Sequence, residues 1–213
     1  MPRITTLLFD RDGTLIKDKG YLADPSGVEL LPEAGEALSL LFRRGFRLFV
    51  VSNQSGIGRG LFSLEDALAC NAALAEQLAD FGVTLTDIVF CPHAPEEHCP
   101  CRKPATGLWD VLRERHGLRP GAAVMVGDKA EDMAFAARAG LAGRMLTLTG
   151  SGLDTFSRLG LGEGPAETLT LRRLIPKSEQ EPDLLLPHLS WLPEAIQLVE
   201  AAPAAGPSRS APG

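Results

Sequence analysis

Short apolar runs alternate with longer segments of helical spacing along most of this chain, and that alternation restricts the possible folds. The apolar runs are predicted to form strands at 4–10, 46–51, 87–91, 122–127 and 144–148. The segments between them are predicted to form helices at 32–44, 64–81, 107–116 and 131–139. Such repeats favour a parallel sheet with helices on both faces. The predicted fold class is therefore α/β, a Rossmann-like doubly wound parallel sheet.

The length of 213 residues suits one domain, which we place at 1–200 with its core at 4–150. Residues 151–182 are rich in Gly, Glu and Thr, have weak periodicity, and are interpreted as an atypical insertion. Apolar spacing returns at 183–200, which we expect to form a last short strand and a helix. Ala, Pro, Gly and Ser dominate 201–213, so a disordered tail is predicted there.

The charge balance argues against two classes of function. Lys and Arg number 21 against 27 Asp and Glu, a net charge of −6, and the positive residues are scattered. This pattern is unlike a nucleic-acid-binding surface. No stretch approaches the ~20 apolar residues that span a bilayer, and we see no secretion signal at the N-terminus. We therefore expect a cytoplasmic protein that binds neither nucleic acid nor membrane.

Polar side chains follow the predicted strands at the points where the strands end. Asp10 and Asp12 follow the first strand, Ser52 the second, Lys103 the segment after the third, and Asp128 the fourth. The carboxyl ends of parallel strands meet at one edge of the sheet, which is where open α/β folds bind ligands. Each residue also has a structural alternative, as a turn residue, a helix cap or a solvated lysine. Their joint occurrence after successive strands favours a functional site.

The pair Asp10 and Asp12 carries the chemistry of that site. Residues i and i+2 of an extended chain point to the same side, so the two carboxylates should emerge together. Two carboxylates in that position can hold a divalent metal, and one can attack a substrate while the other moves a proton. The alternative is that Asp-x-Asp-Gly forms only a turn.

A second cluster lies in a short loop that contains three of the four cysteines. Its predicted metal ligands are Cys91, His93, Cys99 and Cys101. Three thiolates and one imidazole suit tetrahedral Zn²⁺, and four protein ligands leave no open position, so the predicted role is structural. The alternative is that Cys99 and Cys101 are free thiols or form a strained disulfide. His98 is expected to be exposed, and Cys70 to be an ordinary core thiol.

The order of these motifs resembles the haloacid dehalogenase superfamily of phosphohydrolases over residues 4–150. The resemblance implies that Asp10 is a nucleophile that forms an aspartyl phosphate, and that Asp12 acts first as an acid and then as a base. It implies that Ser52 and Lys103 hold phosphoryl oxygens. It also implies a catalytic Mg²⁺ bound by Asp10, the backbone carbonyl of Asp12, and Asp128. A phosphoryl group in transfer carries spread negative charge, which a lysine and a metal can stabilise.

Two branches of that superfamily carry such a cysteine loop. This chain is more similar to the D-glycero-D-manno-heptose 1,7-bisphosphate 7-phosphatases than to the histidinol-phosphate phosphatases, mainly at 18–21, 28–32, 53–60 and 127–132. Tyr21, which the resemblance places against substrate, could instead be a half-buried ring. The resemblance implies that the substrate contacts Asp18, Lys19, Gly20, Tyr21, Ser52, Asn53, Gln54, Ser55, Arg102, Lys103 and Lys129.

The sequence therefore predicts a magnesium-dependent phosphatase that removes the 7-phosphate of a heptose bisphosphate, a step toward surface polysaccharide such as lipopolysaccharide. The gaps after the first two strands leave little room for a large cap domain, so loops should shape the pocket. We expect a monomer that acts on a small phosphorylated sugar. Three alternatives stay open: a histidinol-phosphate or other small-molecule phosphatase, a non-catalytic zinc-stabilised binding protein, and a nucleic-acid 3′-phosphatase, which the acidic charge disfavours.

Overall fold

One seven-stranded sheet organises the part of the chain that the computed structural model describes, residues 3–162 and 170–201. Most of the predicted tail at 201–213 lies outside the described residues. The strands are β1 (Thr6–Phe9), β2 (Arg47–Asn53), β3 (Asp87–Cys91), β4 (Ala123–Gly127), β5 (Gly143–Thr147), β6 (Arg172–Arg173) and β7 (Leu184–Leu186). Their order across the sheet is β3-β2-β1-β4-β5-β7-β6.

The helices in the described residues connect these strands and cover the sheet. They are α1 (Ala34–Arg43), α2 (Ser55–Gly58), α3 (Leu64–Ala79), α4 (Gly107–His116), α5 (Ala130–Arg138), α6 (Gly152–Arg158) and α7 (Leu192–Glu200). None of them combines the length and the apolar character needed to cross a bilayer.

Strand pairing is parallel from β3 across to β7, which confirms the predicted α/β fold class. The edge pair β6–β7 is antiparallel, which the sequence did not predict. Both residues of β6 are exposed arginines. Charged side chains on a very short edge strand disfavour pairing with another chain, so β6 protects this edge of the sheet against such pairing.

The sheet separates two layers of helices because successive side chains of β1 point to opposite faces. Leu7 and Phe9 pack with residues of α1, α3 and α7, and Leu8 packs with residues of α4 and α5. All four residues of β1 are buried. A strand covered on both faces must be apolar throughout, which explains the continuous run that predicted it.

The start of α3 follows the capping signal in the sequence. The Ser63 hydroxyl accepts a hydrogen bond from the Asp66 backbone N–H at 3.1 Å, and the Asp66 carboxylate accepts one from the Ser63 N–H at 2.8 Å. This reciprocal box is worth about 1 kcal/mol to helix stability. Ser63 is thus the N-cap of α3.

Two helices were not predicted. The helix α2 is a single turn of Ser-Gly-Ile-Gly, which has no apolar periodicity to reveal it. The helix α6 lies in the segment interpreted as an atypical insertion, and its Phe156 is fully buried. By contrast, the strand and helix expected at 183–200 are present as β7 and α7.

The connections that could have held a cap domain are short in the described chain. Between β1 and α1 the chain forms a loop with one 3-10 turn, Pro25–Gly27. Between β2 and α3 it forms the single turn α2. Loops therefore border the carboxyl edge of the sheet, as expected.

Candidate active site

The carboxyl ends of β1, β2 and β4 meet at one edge of the sheet, where polar side chains surround a cleft. The cleft has a volume of about 140 Å³. It is lined by Asp10, Asp12, Ser52, Asn53, Arg102, Lys103, Lys129, Glu131 and Asp132. The structure thus brings together residues that are up to 122 positions apart in the sequence, as the parallel-sheet argument requires.

Lys103 is buried at the centre of this cleft, with only 3% of its surface exposed. Its ammonium donates to Asp10 Oδ1 at 2.8 Å, to Asp132 Oδ1 at 2.6 Å and to the Val51 carbonyl at 2.7 Å. Burial by itself lowers the pKa of a lysine, but the two carboxylates raise the pKa of Lys103 above its usual value. Lys103 is therefore a buried cation, and the alternative of a solvated surface lysine is wrong.

Asp10 lies directly against that cation. Its backbone N–H donates to the Val126 carbonyl at 2.9 Å, so β4 fixes its position. Burial by itself raises the pKa of a carboxyl, but Lys103 and Lys129 hold the pKa of Asp10 below its usual value. Asp10 therefore stays ionised near neutral pH, which is the state an attacking carboxylate needs.

The Asp12 carboxylate has a different set of partners. It accepts hydrogen bonds from Arg11 Nε at 3.1 Å and from Gln54 Nε2 at 2.9 Å. Burial raises the pKa of Asp12 above its usual value, although Arg11 opposes the shift. The pKa values of Asp10 and Asp12 are thus shifted in opposite directions, which suits one carboxylate to attack and the other to carry a proton.

Three buried carboxylates form a candidate metal site. Asp10, Asp128 and Asp132 each offer an oxygen within 4.8 Å of the others. Burial, with the charge of Asp10, raises the pKa of Asp128 to about 7, and burial also raises the pKa of Asp132 to about 6. The Lys129 ammonium lies 3.3 Å from the Asp12 carbonyl oxygen and 3.3 Å from each Asp128 carboxylate oxygen. The carboxylate and carbonyl oxygens at this site attract cations, and Mg²⁺ prefers oxygen ligands. The residues present therefore fit the metal that the resemblance implies.

Asp132 was not among the predicted site residues. It lies four residues after Asp128, in the first turn of α5, and its Oδ2 accepts a hydrogen bond from the Lys129 backbone N–H at 3.1 Å. A carboxylate at that position is typical of helix capping. The sequence signal for capping was visible, but the contact with Lys103 depends on the fold.

The turn after Asp12 packs tightly against Asp128. Gly13 has a φ of +86°, and a Cβ there would lie 2.2 Å from Asp128 Oδ2, so only glycine fits. The Ser151 N–H donates to Asp128 Oδ2 at 2.8 Å, and the Thr155 hydroxyl donates to the Asp128 carbonyl at 2.9 Å. The start of the segment interpreted as an insertion therefore helps to hold Asp128, which sequence analysis missed.

The predicted substrate contacts divide into two groups. Those that line the cleft are Ser52, Asn53, Arg102, Lys103 and Lys129. Asp18 lies beside them, 3.4 Å from the Lys129 ammonium. The residues that do not line the cleft are Lys19, Gly20, Tyr21, Gln54 and Ser55.

Three residues of the second group have clear positions. Lys19 donates to the Gly27 carbonyl at 2.8 Å within its own loop, and Tyr21 is 51% exposed. The Gln54 amide is buried and bonds to Asp12 and to Ser52 Oγ. The prediction for these residues came from the resemblance. They lie in a loop and after a strand end, where no periodicity fixes the side-chain directions.

Asn53 makes a double contact with the backbone of Lys103. Its Oδ1 accepts from the Lys103 N–H at 2.9 Å, and its Nδ2 donates to the Lys103 carbonyl at 3.1 Å. This clamp joins the end of β2 to the segment that leaves the cysteine loop. The Asn53 amide therefore positions Lys103 while its side chain borders the cleft.

The cysteine loop brings its four predicted ligands into one group within 4.8 Å. The distances between ligand atoms are 3.5 Å for Cys91–His93, 3.4 Å for Cys91–Cys99, 3.3 Å for Cys101–Cys91, 3.3 Å for His93–Cys101 and 3.4 Å for Cys99–Cys101. The edges of a tetrahedral Zn²⁺ site with ~2.3 Å bonds are ~3.7 Å. The donor set and its spacing fit zinc.

One alternative for the loop, a disulfide, does not match the structure. The sulfurs of Cys99 and Cys101 lie 3.4 Å apart, well beyond the ~2.05 Å of a disulfide, so that alternative is wrong. Burial opposes ionisation of Cys99, but hydrogen bonds from Cys101 and Cys91 lower its pKa to about 7, whereas burial raises the pKa of Cys91 and of Cys101 above the usual value of a thiol. His98 is exposed and lies outside the group, as expected.

Known proteins share this arrangement. The sequence profile of haloacid dehalogenase-like hydrolases matches residues 17–140, and a HAD-hydrolase-like profile matches 100–192. The D-glycero-beta-D-manno-heptose-1,7-bisphosphate 7-phosphatase of Photorhabdus laumondii is 34% identical over 91% of this chain and 96% of its own. The protein of the same name from Vibrio cholerae is 38% identical over 68% of this chain and 81% of its own.

A solved structure agrees with the sequence relatives. The crystal structure of D,D-heptose 1,7-bisphosphate phosphatase from B. bronchiseptica, complexed with magnesium and phosphate, superposes with a TM-score of 0.75 at 28% identity. The superposition covers 93% of this chain and all of the other. Both kinds of similarity extend beyond residue 150, where the resemblance in the sequence ended.

Proposed function

This chain belongs to the haloacid dehalogenase-like hydrolases, and we propose that it is a phosphatase that removes the 7-phosphate of D-glycero-D-manno-heptose 1,7-bisphosphate. The observation that carries the proposal is the Asp10 carboxylate held 2.8 Å from the buried Lys103 ammonium in the cleft, in a chain whose relatives bear that name. A carboxylate nucleophile beside a fixed cation is the arrangement that phosphoryl transfer needs.

In the first half of the reaction, an Asp10 oxygen attacks phosphorus and the bond from phosphorus to the sugar oxygen breaks. Asp12 gives its proton to that leaving oxygen, so the sugar departs as an alcohol. The Lys103 ammonium and the Ser52 hydroxyl hold phosphoryl oxygens, which carry the charge of the transition state. The product on the protein is an aspartyl phosphate.

In the second half, a water molecule attacks the phosphorus of the aspartyl phosphate. Asp12, now ionised, accepts the proton of that water, and Asp10 leaves as a free carboxylate. Inorganic phosphate is released, and both aspartates return to their starting states. The raised pKa of Asp12 supports its role as the group that gives and regains a proton.

The proposed Mg²⁺ ligands are Asp10, the backbone carbonyl of Asp12, and Asp128. When bound there, the metal would neutralise charge on the carboxylates and on the phosphoryl oxygens. The proposed Zn²⁺ ligands are Cys91, His93, Cys99 and Cys101, and the role of that metal is structural. The raised pKa of Asp128 and the short distances among the thiols support these two sets.

The substrate side of the cleft suits a phosphorylated sugar. Arg102 lines the cleft, and its Nη1 is buried without a hydrogen-bond partner in the described chain. A buried N–H donor without an acceptor lowers the stability of the fold. An anionic oxygen of a ligand would accept its hydrogen bond. The exposed carboxylate of Asp18, beside Lys129, could accept from a sugar hydroxyl. We propose both residues and Lys129 as substrate contacts.

The test is phosphate release from a substrate panel with and without Mg²⁺. The panel contains the α and β anomers of D-glycero-D-manno-heptose 1,7-bisphosphate, histidinol phosphate and an aryl phosphate. We expect kcat/KM to be highest for one heptose anomer, with heptose 1-phosphate identified as product by ³¹P NMR. Preference for histidinol phosphate would assign the chain to the other branch, and absence of all hydrolysis would favour a binding protein.

A further inference from the structure

Arg11 is the largest side chain that is fully buried in the described residues. It lies between the two aspartates of the site, and a buried guanidinium must be paired and hydrogen-bonded to be tolerated. Its Nη2 donates to Asp12 Oδ1 at 3.2 Å, beside the contact from Nε. The other donors of Arg11 reach two amide oxygens, Gln54 Oε1 and Asn71 Oδ1, each at 2.9 Å.

The contact with Arg11 settles which way the Gln54 amide points. Since Oε1 of Gln54 accepts from the guanidinium, its Nε2 must face the opposite way. That nitrogen donates to Asp12 Oδ2 at 2.9 Å and to Ser52 Oγ at 2.7 Å. The Asp12 carboxylate is thus held by a fork from Arg11 and by the amide of Gln54.

Asn71 anchors the arrangement from outside the cleft. It lies on α3, sixty residues from Arg11 in the sequence, and is 6% exposed. It does not line the cleft, so it cannot contact a substrate there. Its carbonyl oxygen accepts from Nη1 of Arg11. This contact fixes the plane of the guanidinium, whose Nε and Nη2 face Asp12.

We propose that Arg11, Gln54 and Asn71 form a positioning unit that holds the Asp12 carboxyl where it can protonate the leaving oxygen. The inference rests on the proposed function, because it concerns the acid of that reaction. It also gives Gln54 a role other than contact with the substrate. None of the three residues exchanges a proton or touches the phosphoryl group. Arg11 and Asn71 act through Asp12, whereas Gln54 contacts both Asp12 and Ser52.

The leaving group separates such a role from general support of the fold. An alkyl phosphate needs its leaving oxygen protonated, whereas dinitrophenyl phosphate leaves as a stable anion and does not. Loss of a well-placed acid therefore slows the first ester and spares the second. Loss of packing would slow both by the same factor.

The experiment measures the single-turnover rate at which the Mg²⁺-loaded protein releases the sugar from the heptose bisphosphate and the phenol from dinitrophenyl phosphate. This step precedes the attack of water, in which Asp12 serves both esters alike as a base. Asn71→Leu removes the acceptor for Arg11, and we expect it to slow the sugar ester by about 10²-fold and the dinitrophenyl ester by less than about 3-fold. Asn71→Asp keeps the acceptor and should recover most of the lost rate. Gln54→Met leaves α3 unchanged and should also slow the sugar ester more than the dinitrophenyl ester, with a smaller common loss on both because Gln54 donates to Ser52 as well.

A second measurement uses the Asp12→Asn background. If Asn71 acts only through Asp12, Asn71→Leu should add no further loss to the sugar ester in that background. Equal losses on both esters in Gln54→Met and Asn71→Leu, or additive losses with Asp12→Asn, would overturn the inference. If the wild-type protein hydrolyses neither ester, the proposed function is wrong as well. This outcome differs from failure of the inference alone, in which the wild type is active but the variants show no selective loss.

Discussion

The carboxylate cluster at the sheet edge and the cysteine cluster in the loop after β3 are both groups of ionisable residues, but they are held in place in different ways. Asp10, Lys103 and Asp132 are buried, and Lys103 pairs with both carboxylates. Asp10 follows β1, and Asp132 lies in the first turn of α5. Cys99 and Cys101 are only partly buried, in a loop whose regular structure is one 3-10 turn, Pro95–Glu97. The sheet fixes the positions of the carboxylates, whereas the proposed Zn²⁺ would hold the cysteines in place.

Backbone contacts join the two clusters. The Gln54 N–H donates to the Cys91 carbonyl at 2.7 Å, and the Gly58 N–H donates to the Pro92 carbonyl at 2.8 Å. Asn53 clamps the backbone of Lys103 on the other side of the loop. The loop can therefore affect the chemistry through Lys103 or through Gln54, which donates to Asp12. The predictions below test how independent the two clusters are.

The largest effect is expected from Asp10→Asn. The variant lacks the attacking oxygen charge, so turnover should fall by about 10⁴-fold or more while the fold is retained. The measurement is kcat in the presence of Mg²⁺, with thermal unfolding and zinc content as controls. Because the sheet holds this edge, zinc content should not change. Substantial residual turnover would refute the assignment of the nucleophile.

Lys103→Met should lower stability more than any change in the loop. It leaves two carboxylates buried without their cation, which costs about 3–5 kcal/mol of unfolding free energy. The matched control is Lys17→Met, because Lys17 is an exposed lysine that pairs with the exposed Glu29 and contributes at most about 1 kcal/mol. Urea denaturation measures both. Equal losses in the two variants would contradict the burial argument.

The stability of metal-free protein should fall as pH rises from about 4 to 7. The folded-state pKa of Asp128 is about 7, against an ordinary 3.8, so in this range the unfolded chain has lost a proton that the folded chain keeps. The contribution of the protonated Asp128 carboxyl to the free energy of unfolding is therefore complete below pH 4. It is lost progressively up to pH 7, by an amount on the order of 2 kcal/mol.

Added Mg²⁺ binds the ionised carboxylates and should reverse that loss, so it should raise the unfolding temperature more at pH 8 than at pH 5. Asp128→Asn is the control, because it removes the titrating group and should flatten the pH dependence. Equal shifts of the unfolding temperature at the two pH values would contradict the prediction.

The sequence was sufficient to predict Asp10 and Asp12 at the centre of the site, but not the contacts of the residues that hold the site in place. The positions of Asp10 and Asp12 follow from the two-residue period of an extended chain and from the rule for strand ends, both of which are local. Arg11 and Asn71, and likewise Lys103 and Asp132, meet only in the fold, so no local pattern reveals those contacts. The loop that carries Lys19 and Tyr21 has no period, and its side-chain directions could not be predicted.

Removal of zinc should lower activity by about 10-fold or more without abolishing it. The proposed Zn²⁺ would order the loop that leads into Arg102 and Lys103, but the bonds from Lys103 to Asp10 and Asp132 lie at the sheet edge. The measurement is kcat/KM after chelation, dialysis and restoration of Mg²⁺ alone, with zinc content determined by metal analysis. Full activity in zinc-free protein would show that the loop does not position the lysine.

The smallest effect is expected at Asn53, the residue that connects the two clusters. Asn53→Ala removes both hydrogen bonds to the Lys103 backbone, which contribute about 2 kcal/mol together. The bonds from Lys103 to Asp10 and Asp132 keep the ammonium partly in place, so kcat should fall by only about 5- to 10-fold, which corresponds to about 1 kcal/mol. Asn53→Asp keeps the acceptor for the Lys103 N–H and loses only the donor, so its loss should be smaller. If the clamp transmits the order of the zinc loop, zinc removal should slow Asn53→Ala by a smaller factor than it slows wild type. Equal factors in the two proteins would mean that the loop reaches Lys103 by another path, through the chain that directly follows Cys101.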